Sequence, residues 1–281
     1  MSTLKRTNNL ISKYNLRINK DLGQNFLVDD EVVQRIISEA EVTDRTCVIE
    51  IGPGLGTLTF PLVEKCKKIV AIELDKSLSS ILLEEIKEDN FVLFNEDILK
   101  IDMNKVIMEF DKNDEIIVIS NLPYYITTPV IFRLLENNFN IMHYVLMVQK
   151  EVGKRLTGKP KTKDYNALSV LMDYKTKTKY AFTVSKNSFK PIPNVESAVI
   201  KMKYLPVDLN IKNDEKFLKF ISDIFANRRK TLVNNISASY HISKTVLNEY
   251  LEKNKYKITV RSEELTLINI ANIYKGLFEN E

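Results

Sequence analysis

The chain has 281 residues, of which 44% are hydrophobic, 28% are charged and 9% are aromatic. This length and composition predict one large globular domain, or a domain with a small appendage, and exclude a fully disordered chain. The formal net charge of +4 conceals an asymmetry, because residues 27–149 carry 11 Lys/Arg and 22 Asp/Glu, whereas residues 150–203 carry 13 and 4. An acidic part joined to a basic part suggests two kinds of ligand, and the basic part favours an anionic polymer.

Several classes of protein are disfavoured at this stage. No apolar stretch approaches the roughly 20 residues of a membrane helix, and the basic segment 1–26 lacks the apolar core of a secretory signal. Cys47 and Cys66 are not spaced as a C-x-x-C pair and are expected to be reduced thiols. His143 and His241 lack partners at metal-binding or triad spacing, so we expect structural histidines and no metal site. These features favour a cytoplasmic protein.

Helix-like and strand-like patterns alternate between residues 29 and 148. The apolar periodicity predicts helices over residues 29–40, 57–66, 76–87 and 127–135, and strands over residues 46–51, 68–73, 91–94, 115–120 and 142–148. Such alternation builds βαβ units with short right-handed connections and a mostly parallel sheet. The sequence therefore predicts the α/β class with a Rossmann-like sheet.

The pattern changes beyond residue 150. A basic helix is predicted over residues 151–156, then a Lys-rich turn over residues 158–163 and strands over residues 180–184 and 196–204. Pro206 and a polar stretch mark a boundary, and only helices are predicted after it, over residues 215–225, 228–237, 244–250 and 263–277. We therefore expect a sheet-based domain over residues 1–204, including the basic segment 1–26, and a small all-helical domain over residues 205–281.

The Gly-rich turn Glu50-Ile-Gly-Pro-Gly-Leu-Gly56 lies between a predicted strand and a predicted helix. Gly52, Gly54 and Gly56 would let the backbone approach a ligand, although a tight turn that binds nothing is the alternative. Dinucleotide fingerprints read GxGxxG and place a pyrophosphate at a helix N-terminus. Here the spacing is GxGxG, and Glu50 would repel a pyrophosphate but tolerate a cationic sulfonium. The turn therefore favours S-adenosylmethionine over NAD.

Two acidic residues extend this predicted cofactor site. Glu73 ends the next strand, where a carboxylate can accept hydrogen bonds from ribose hydroxyls. Asp97, in the stretch Asn95-Glu-Asp97, follows the third strand and could accept a bond from an adenine amino group. The segment Asp21-Leu-Gly-Gln-Asn-Phe-Leu27 precedes the first helix of the sheet domain, with Asp29 or Asp30 as its N-cap. It is read either as a capped approach to that helix or as a segment that closes over the cofactor.

The segment Asn121-Leu-Pro-Tyr-Tyr-Ile-Thr-Thr-Pro-Val130 follows the fourth strand. The side-chain oxygen of Asn121 and the backbone carbonyl of Leu122 or Pro123 can accept both N–H bonds of an adenine amino group and draw its lone pair out of conjugation. Tyr124 can stack on the base, which is worth roughly 1–3 kcal/mol. Positioning dominates such a displacement, and no strong base is required because the methylated nitrogen loses its proton to water. The alternative is a strand-end turn with its rings packed on the core.

Two further motifs lie nearer the C-terminus. Phe189 begins the Pro-rich stretch Phe189-Lys-Pro-Ile-Pro-Asn-Val-Glu-Ser197, which predicts a stiff loop that holds an aromatic ring in the open, or simply a rigid connection. Arg228, Arg229 and Lys230 are predicted to begin a helix. They are read either as a solvated face or as phosphate contacts.

With these motifs in hand, the chain resembles the KsgA-type small-subunit ribosomal RNA adenine dimethyltransferases from Leu22 onward. The resemblance implies a Rossmann-like methyltransferase sheet, a helical RNA-binding domain at the C-terminus, and S-adenosylmethionine as methyl donor with S-adenosylhomocysteine as product. It adds Asn25, Leu27 and Asn121 to the cofactor site, and Gln149-Lys-Glu-Val152 to the family's motifs. It places Phe189 against the target base beside Asn121, Leu122, Pro123 and Tyr124, and Arg228, Arg229 and Lys230 on RNA phosphates.

The implied reaction is the transfer of four methyl groups to two adjacent adenosines. These lie in the 3′-terminal hairpin loop of 16S rRNA, and the implied partner is the 30S subunit or its precursor. We expect the enzyme to act as a monomer in the cytoplasm, without a membrane partner.

Three alternatives remain at this stage. The erythromycin-resistance methyltransferases act on large-subunit RNA with the same active-site plan, but usually have Ile where this chain has Leu122. The stretch Phe225-Ala-Asn-Arg-Arg-Lys-Thr-Leu-Val-Asn-Asn235 also resembles the KsgA-type C-terminal domain. A second alternative is a ribosome-assembly checkpoint protein for which methylation is secondary, and a third is an NAD-dependent oxidoreductase.

Overall fold

The computed structural model describes residues 1–18, 24–136 and 139–279. The strands are β1 Phe26–Leu27, β2 Thr46–Ile51, β3 Lys68–Ile72, β4 Phe91–Phe94, β5 Glu115–Asn121, β6 Ile141–Gln149, β7 Thr176–Val184, β8 Phe189–Lys190 and β9 Ser197–Tyr204. The helices are α1 Thr3–Lys13, α2 Asp30–Glu39, α3 Thr59–Val63, α4 Lys76–Glu85, α5 Met103–Ile107, α6 Thr127–Glu136, α7 Lys150–Leu156, α8 Ala167–Lys175, α9 Asp214–Ile224, α10 Leu232–Tyr240, α11 Lys244–Lys253 and α12 Leu267–Phe278. Short 3₁₀ helices cover Tyr124–Ile126, Lys186–Ser188 and Ser262–Glu264.

Seven strands form one sheet in the order β4-β3-β2-β5-β6-β9-β7. The pairs from β4 to β6 are parallel, and β9 runs antiparallel to β6. The strand order reverses between β2 and β5, and ligands of open α/β sheets bind at the carboxyl ends of the strands beside such a switch point. Gly52 directly follows β2 and Asn121 ends β5, so both lie at this crevice. The predicted α/β class with a Rossmann-like sheet is confirmed.

The central strands are buried because of their composition. Every residue of β2 is buried, as are Ile116–Ser120 of β5. Long runs of Ile and Val suit parallel strands that helices cover on both faces. On one face, Val33, Ile36 and Ile37 of α2 pack into the same apolar cluster as Val48 and Ile119. This packing makes the crevice a rigid platform for the loops above it.

The predicted elements agree with the structure except at some ends, and five elements were not predicted: α1, α5, α8, β1 and β8. Strands β2 and β4 have the predicted limits, whereas α3 is shorter than predicted. The sequence did not predict α1, which lies in the polar, basic N-terminal segment and buries Thr7 and Leu10. It also did not predict α8, although Asn166 caps this helix by accepting the backbone N–H groups of Leu168 and Ser169.

The chain divides into two compact units. The first contains Met1–Gly153 and Lys179–Tyr204, and the second contains Lys154–Thr178 and Leu205–Glu281. The predicted boundary after Tyr204 matches one of these divisions, but residues 154–178 join the helical unit instead of the sheet. They do so because Tyr174 packs edge-on against Phe217, with ring centroids 5.4 Å apart, in one shared core.

The cysteines and histidines have structural positions. Cys47 and Cys66 are free and buried, as predicted. His143 is buried with Nε2 2.9 Å from the carbonyl oxygen of Ala40, and burial lowers its pKa. Within the described ranges, no three His, Cys, Asp or Glu side chains are grouped to hold a metal ion. Nor does any helix in those ranges have the length and apolar character needed to span a membrane.

Candidate active site

An open cleft of about 1000 Å³ lies in the first unit at the carboxyl ends of β2 to β5. Its walls gather most of the residues predicted from sequence: Asn25, Leu27, Glu50, Gly52, Gly54, Glu73, Asp97, Asn121, Leu122, Pro123 and Tyr124. Residues from four separate motifs therefore share one site. Gly56 and Phe189 do not belong to this wall.

The three glycines of the turn have different roles. All adopt positive φ, at 66° for Gly52, 61° for Gly54 and 76° for Gly56, which a side chain would strain. A Cβ on Gly54 would lie 3.3 Å from the Phe26 ring. A Cβ on Gly56 would lie 2.8 Å from Phe60, too close for the packing to stay unchanged. Gly52 and Gly54 thus shape the cleft wall, whereas Gly56 permits the packing behind it.

Glu73 is fixed by the backbone around it. Its carboxylate accepts the N–H of Gly54 at 3.1 Å and the N–H of Asp75 at 2.9 Å. Burial raises the pKa of this carboxyl, and the two N–H groups oppose that rise. Each carboxylate oxygen has a further lone pair, so Glu73 can hold the turn and still accept bonds from a ligand in the cleft.

Glu50 is almost fully buried, with only 1% of its surface exposed. Burial raises the pKa of its carboxyl to about 8, and the charge of Glu73 adds to the rise. Its Oε2 atom has no hydrogen-bond partner in the described part of the chain, which is costly for a buried polar atom. A cation beside Glu50 would oppose this rise and favour the ionised form, so the carboxyl offers a buried oxygen to a cation or a donor.

The end of β4 contributes Asp97, which Asn95 helps to position. Asn95 donates its amide N–H groups to the carbonyl oxygen of Glu73 at 2.8 Å and to Ser79 Oγ at 3.0 Å. These bonds fasten the segment after β4 to the segment after β3. Asp97 accepts the N–H of Leu99 at 2.9 Å, and its carboxylate lines the cleft. Asp97, which the sequence predicts as a hydrogen-bond acceptor for the cofactor, therefore lines the cleft.

The loop after β5 presents oxygen atoms to the cleft. Asn121 donates through Nδ2 to the carbonyl oxygen of Asn25 at 3.4 Å, so the amide is tethered by its nitrogen and its Oδ1 can serve as an acceptor. The Pro123 carbonyl already accepts the Ile126 N–H and the Thr127 hydroxyl, both at 3.2 Å. Leu122 is held by its N–H, which donates to Met147 O at 3.0 Å. Of the two carbonyls proposed from sequence, that of Leu122 is the better second acceptor.

Tyr124 projects into the same cleft from the start of a 3₁₀ helix. Its hydroxyl lies 2.7 Å from Ser197 Oγ. Burial raises the pKa of this phenol, so Tyr124 stays neutral at physiological pH. Tyr125 also lines the cleft and is 53% exposed. Sequence analysis gave Tyr125 and Ser197 no part in the site, although each belongs to one of its motifs.

Sheet register explains why distant motifs meet. Asn121 of β5 is opposite Met147 of β6, and Gln149 of β6 is opposite Ser197 of β9. An ion pair of 2.7 Å between Lys150 and Glu196 closes the same end of this ladder. The motifs that begin at Asn121 and Gln149 and the one that ends at Ser197 are therefore neighbours on three adjacent strands.

The segment before α2 forms the other wall. Residues 21–23 of its predicted motif, and hence Leu22, lie outside the described residues. The Leu27 carbonyl accepts the Thr57 hydroxyl at 2.8 Å, which ties this segment to the glycine turn. Asp29 is the N-cap of α2, as one of the two predicted options had it. Sequence analysis missed Phe26, whose ring faces Gly54.

Phe189 is not held in the open, and this prediction is wrong. Only 2% of its surface is exposed, because β8 pairs antiparallel with β1 and brings Phe189 opposite Leu27. Both side chains enter the apolar cluster that contains Val33. The Pro-rich stretch could not predict this burial, because the short strand pair that turns the ring inward depends on a partner 162 residues earlier in the chain.

The basic residues of the second unit lie before a helix and do not begin it. Helix α10 starts at Leu232, and Thr231 caps it by accepting the backbone N–H of Asn234. Arg228 donates to the carbonyl oxygens of Thr162, at 2.9 Å, and Lys163. Arg229 and Lys230 are exposed. All three side chains are exposed, but Arg228 also tethers the Lys-rich turn.

The family model for the ribosomal RNA adenine dimethylases matches residues 15–275. The chain belongs to this family. It is 41% identical over 274 residues to the ribosomal RNA small subunit methyltransferase A of Bacillus pumilus, covering 95% of this chain and 94% of the relative. The Bacillus mycoides protein of the same name is 39% identical over 283 residues, covering 99% and 97%. The protein is therefore a methyltransferase that uses S-adenosylmethionine, and the NAD alternative is set aside.

Two solved structures share the fold. A dimethyladenosine transferase from Plasmodium falciparum has a TM-score of 0.70 at 22% identity and covers 89% of this chain and 96% of its own. The 23S rRNA methyltransferase ErmE has a TM-score of 0.64 at 20% identity and covers 89% and 99%. At these identities the likeness concerns the fold alone.

The cleft fits S-adenosylmethionine on its own features. The buried, unpartnered Glu50 Oε2 suits the positively charged end of that molecule. The fixed carboxylate of Glu73 suits ribose hydroxyls, and Asp97 suits an adenine amino group. The side-chain-free faces of Gly52 and Gly54 allow close approach of the ligand.

Proposed function

We propose that the protein dimethylates two adjacent adenosines in the 3′-terminal hairpin loop of 16S rRNA, within the 30S subunit or its precursor. The tethered amide of Asn121, in the same cleft as Glu50 and Glu73, is the observation that carries this proposal. Relatives that match nearly the whole chain are named ribosomal RNA small subunit methyltransferase A, which supports small-subunit rRNA as the substrate. The large-subunit alternative has only a likeness of fold behind it. We further propose that the enzyme acts as a monomer in the cytoplasm.

The cofactor residues hold the methyl donor at the switch point. Glu73 accepts from the ribose hydroxyls, Asp97 from the adenine amino group, and Glu50 faces the cationic end. Asn25 and Leu27 complete the wall beside Gly52 and Gly54. When bound, S-adenosylmethionine supplies an electrophilic methyl carbon, whose bond to sulfur breaks as the bond to the adenine nitrogen forms, leaving S-adenosylhomocysteine.

The loop after β5 positions the adenine. Asn121 Oδ1 and the Leu122 carbonyl accept the two N–H bonds of the amino group, which directs the nitrogen lone pair towards the methyl carbon. Pro123 stiffens the loop, and the Tyr124 ring stacks on the base. The nitrogen loses its proton to water after transfer. Because the amide of Asn121 is neutral, no fixed charge demands that an N–H remain, and a second methyl can follow.

The second unit supplies sequence-independent contacts to RNA. Arg229 and Lys230 are exposed cations at the start of the turn before α10, and they pair with RNA phosphates. Adenines in a hairpin loop are already partly unstacked, so moving one into the cleft costs little. The first unit then reads the base, while the second holds the backbone.

Replacing Asn121 with Ala tests the proposal. We expect S-adenosylmethionine to bind Asn121→Ala within about twofold of wild type, while methyl transfer to unmethylated 30S particles falls roughly 100-fold, as for the loss of one preorganised polar group. Calorimetry measures the first quantity, and mass mapping of methylated adenines measures the second. Asn104→Ala, an exposed asparagine on α5, is the matched control and should retain full activity.

The outcomes separate the alternatives. Normal transfer by Asn121→Ala would refute the acceptor-pair mechanism. Methyl groups that map to large-subunit RNA would refute the choice of substrate.

A further inference from the structure

Ser197 is buried at the start of β9 and contacts a residue of the cleft. It has no exposed surface, and its Oγ lies 2.7 Å from the Tyr124 hydroxyl. The two residues are 73 positions apart in sequence and belong to different motifs. The contact therefore joins the motif that ends at Ser197 to the loop that begins at Asn121.

The Ser197 hydroxyl is a polar group in apolar, buried surroundings. The next three residues of β9, Ala198–Ile200, are apolar and have no exposed surface. A hydroxyl at such a depth needs a hydrogen-bond partner, and here that partner is a side chain of the cleft wall. By comparison, the Ser188 hydroxyl in the same unit donates to Asp29 Oδ2 at 2.8 Å, on the N-cap of α2.

The bond restricts the ring of Tyr124 at its far end. The preceding residue, Pro123, has a fixed φ and limits the backbone at the near end. The hydroxyl oxygen lies on the axis that runs through Cβ and the ring, so a bond to it fixes the direction of that axis. Tyr124 is thereby held at both ends, and its ring stays on the cleft wall.

We propose that Ser197 is a positioning residue that fixes the Tyr124 ring as the platform on which the target adenine stacks. This inference rests on the proposed function. Transfer depends on the alignment of the amino nitrogen with the methyl carbon, and a misplacement of about 1 Å can cost 100-fold in rate. Asn121 and Leu122 fix the amino edge of the base, whereas Ser197, through Tyr124, fixes where the stacking ring lies in the cleft.

A double-mutant cycle tests the coupling. We expect Ser197→Ala and Tyr124→Phe each to lower kcat for methyl transfer about fivefold, the equivalent of one net hydrogen bond. The double variant should be no slower than either single variant, because both remove the same bond. Binding of S-adenosylmethionine should stay within about twofold in all three. Ser188→Ala, which also removes a buried hydroxyl, should leave kcat unchanged.

Fluorescence reports the stacking directly. With 2-aminopurine in place of a mapped target adenine, stacking on Tyr124 quenches emission from the bound RNA. We expect Ser197→Ala and Tyr124→Phe to restore part of that emission while RNA affinity changes little. With Ser188→Ala, emission from the bound RNA should be quenched as strongly as with wild type.

A third measurement needs no RNA. Burial raises the pKa of Tyr124, and the hydrogen bond between Tyr124 and Ser197 opposes that rise, so Ser197→Ala should raise the pKa further. Titration of ¹³C-labelled tyrosine by NMR, with Tyr124→Phe to assign the signal, measures the shift. An unchanged Tyr124 titration, additive losses in the cycle, or normal kcat in Ser197→Ala would overturn the inference. Failure of the wild-type enzyme to methylate 30S particles would instead refute the proposed function, and the titration would still decide the role of Ser197.

Discussion

Glu50 shows how burial changes the chemistry of a single side chain. Its carboxyl has 1% of its surface exposed, and burial raises its pKa to about 8 from an ordinary value of 4.5. Between those two values the folded state holds a proton that the unfolded state has released. The free energy of unfolding therefore falls as pH rises through this window, at up to about 1.4 kcal/mol per pH unit from this group.

Replacing Glu50 with Gln should remove this dependence. We expect Glu50→Gln to resemble wild type in stability near pH 4.5 and to be the more stable of the two at pH 8, because an amide needs no proton to be neutral. Urea denaturation across this range measures the difference. The opposite sign, with Glu50→Gln losing stability as pH rises, would mean that Glu50 is ionised in the folded protein.

The residues of the site differ in how far sequence could identify them. Asn121 and Glu73 follow strands directly, so the strand pattern placed them at one edge of the sheet. Ser197 acts through a contact that only the register of β6 and β9 brings about. The protonation of Glu50 depends on how much of the fold covers it, which no local pattern contains.

The turn between β2 and α3 illustrates the same limit for an element. Its three glycines look equivalent in sequence, but the Cβ of an Ala at position 56 would lie 2.8 Å from Phe60 and 2.9 Å from Leu82, inside the packing between α3 and α4. At position 54, among the residues that the structure describes, the Cβ would be close to the Phe26 ring alone, at 3.3 Å. Gly56 therefore permits the packing of the core, whereas Gly54 shapes the cleft.

Two alanine variants separate these uses. We expect Gly56→Ala to lose about 2–4 kcal/mol of stability, from positive φ plus overpacking, with a smaller effect on cofactor affinity once folded. Gly54→Ala should lose less stability but bind S-adenosylmethionine at least about tenfold more weakly, since its Cβ reaches into the ligand wall. Thermal denaturation and calorimetry distinguish the two, and the reverse ranking would contradict this assignment.

Helix α10 was misplaced for a local reason. The run Arg228–Lys230 leads into the apolar residues Leu232 and Val233, which made the basic residues look helical. Thr231 is the N-cap instead, and the helix begins at the next residue, Leu232. A Ser or Thr before an apolar run is a stronger start signal than the residues ahead of it.

For the whole molecule, the division into two units preserves the charge asymmetry of the sequence. The second unit carries 19 Lys/Arg and 12 Asp/Glu, whereas the first carries 22 and 25. The fold class and most element limits followed from periodicity. The assignment of residues 154–178 to the second unit did not follow from periodicity, because it depends on aromatic packing such as that of Tyr174 on Phe217.

Arg228 and Arg229 should differ in their effect on RNA binding. We expect Arg229→Gln to reduce the slope of log affinity against log salt by about 0.7, the value for one lost phosphate contact on single-stranded RNA, without changing the melting temperature. Arg228→Gln should lower the melting temperature, because it releases the carbonyls of Thr162 and Lys163. Equal slopes for the two variants, with equal stability, would show that Arg228 also contacts phosphate.

The pairing of β5, β6 and β9 fixes the distances between residues of the catalytic centre. Side chains alternate between the faces of a sheet, so a slip of one residue in β9 would turn Ser197 away from Tyr124. The spacing of the motifs is thus counted along strands and is indifferent to the length of chain that joins them. The connections between these strands can therefore change in length, whereas a residue added to a strand next to Asn121, Gln149 or Ser197 would shift the register of the centre.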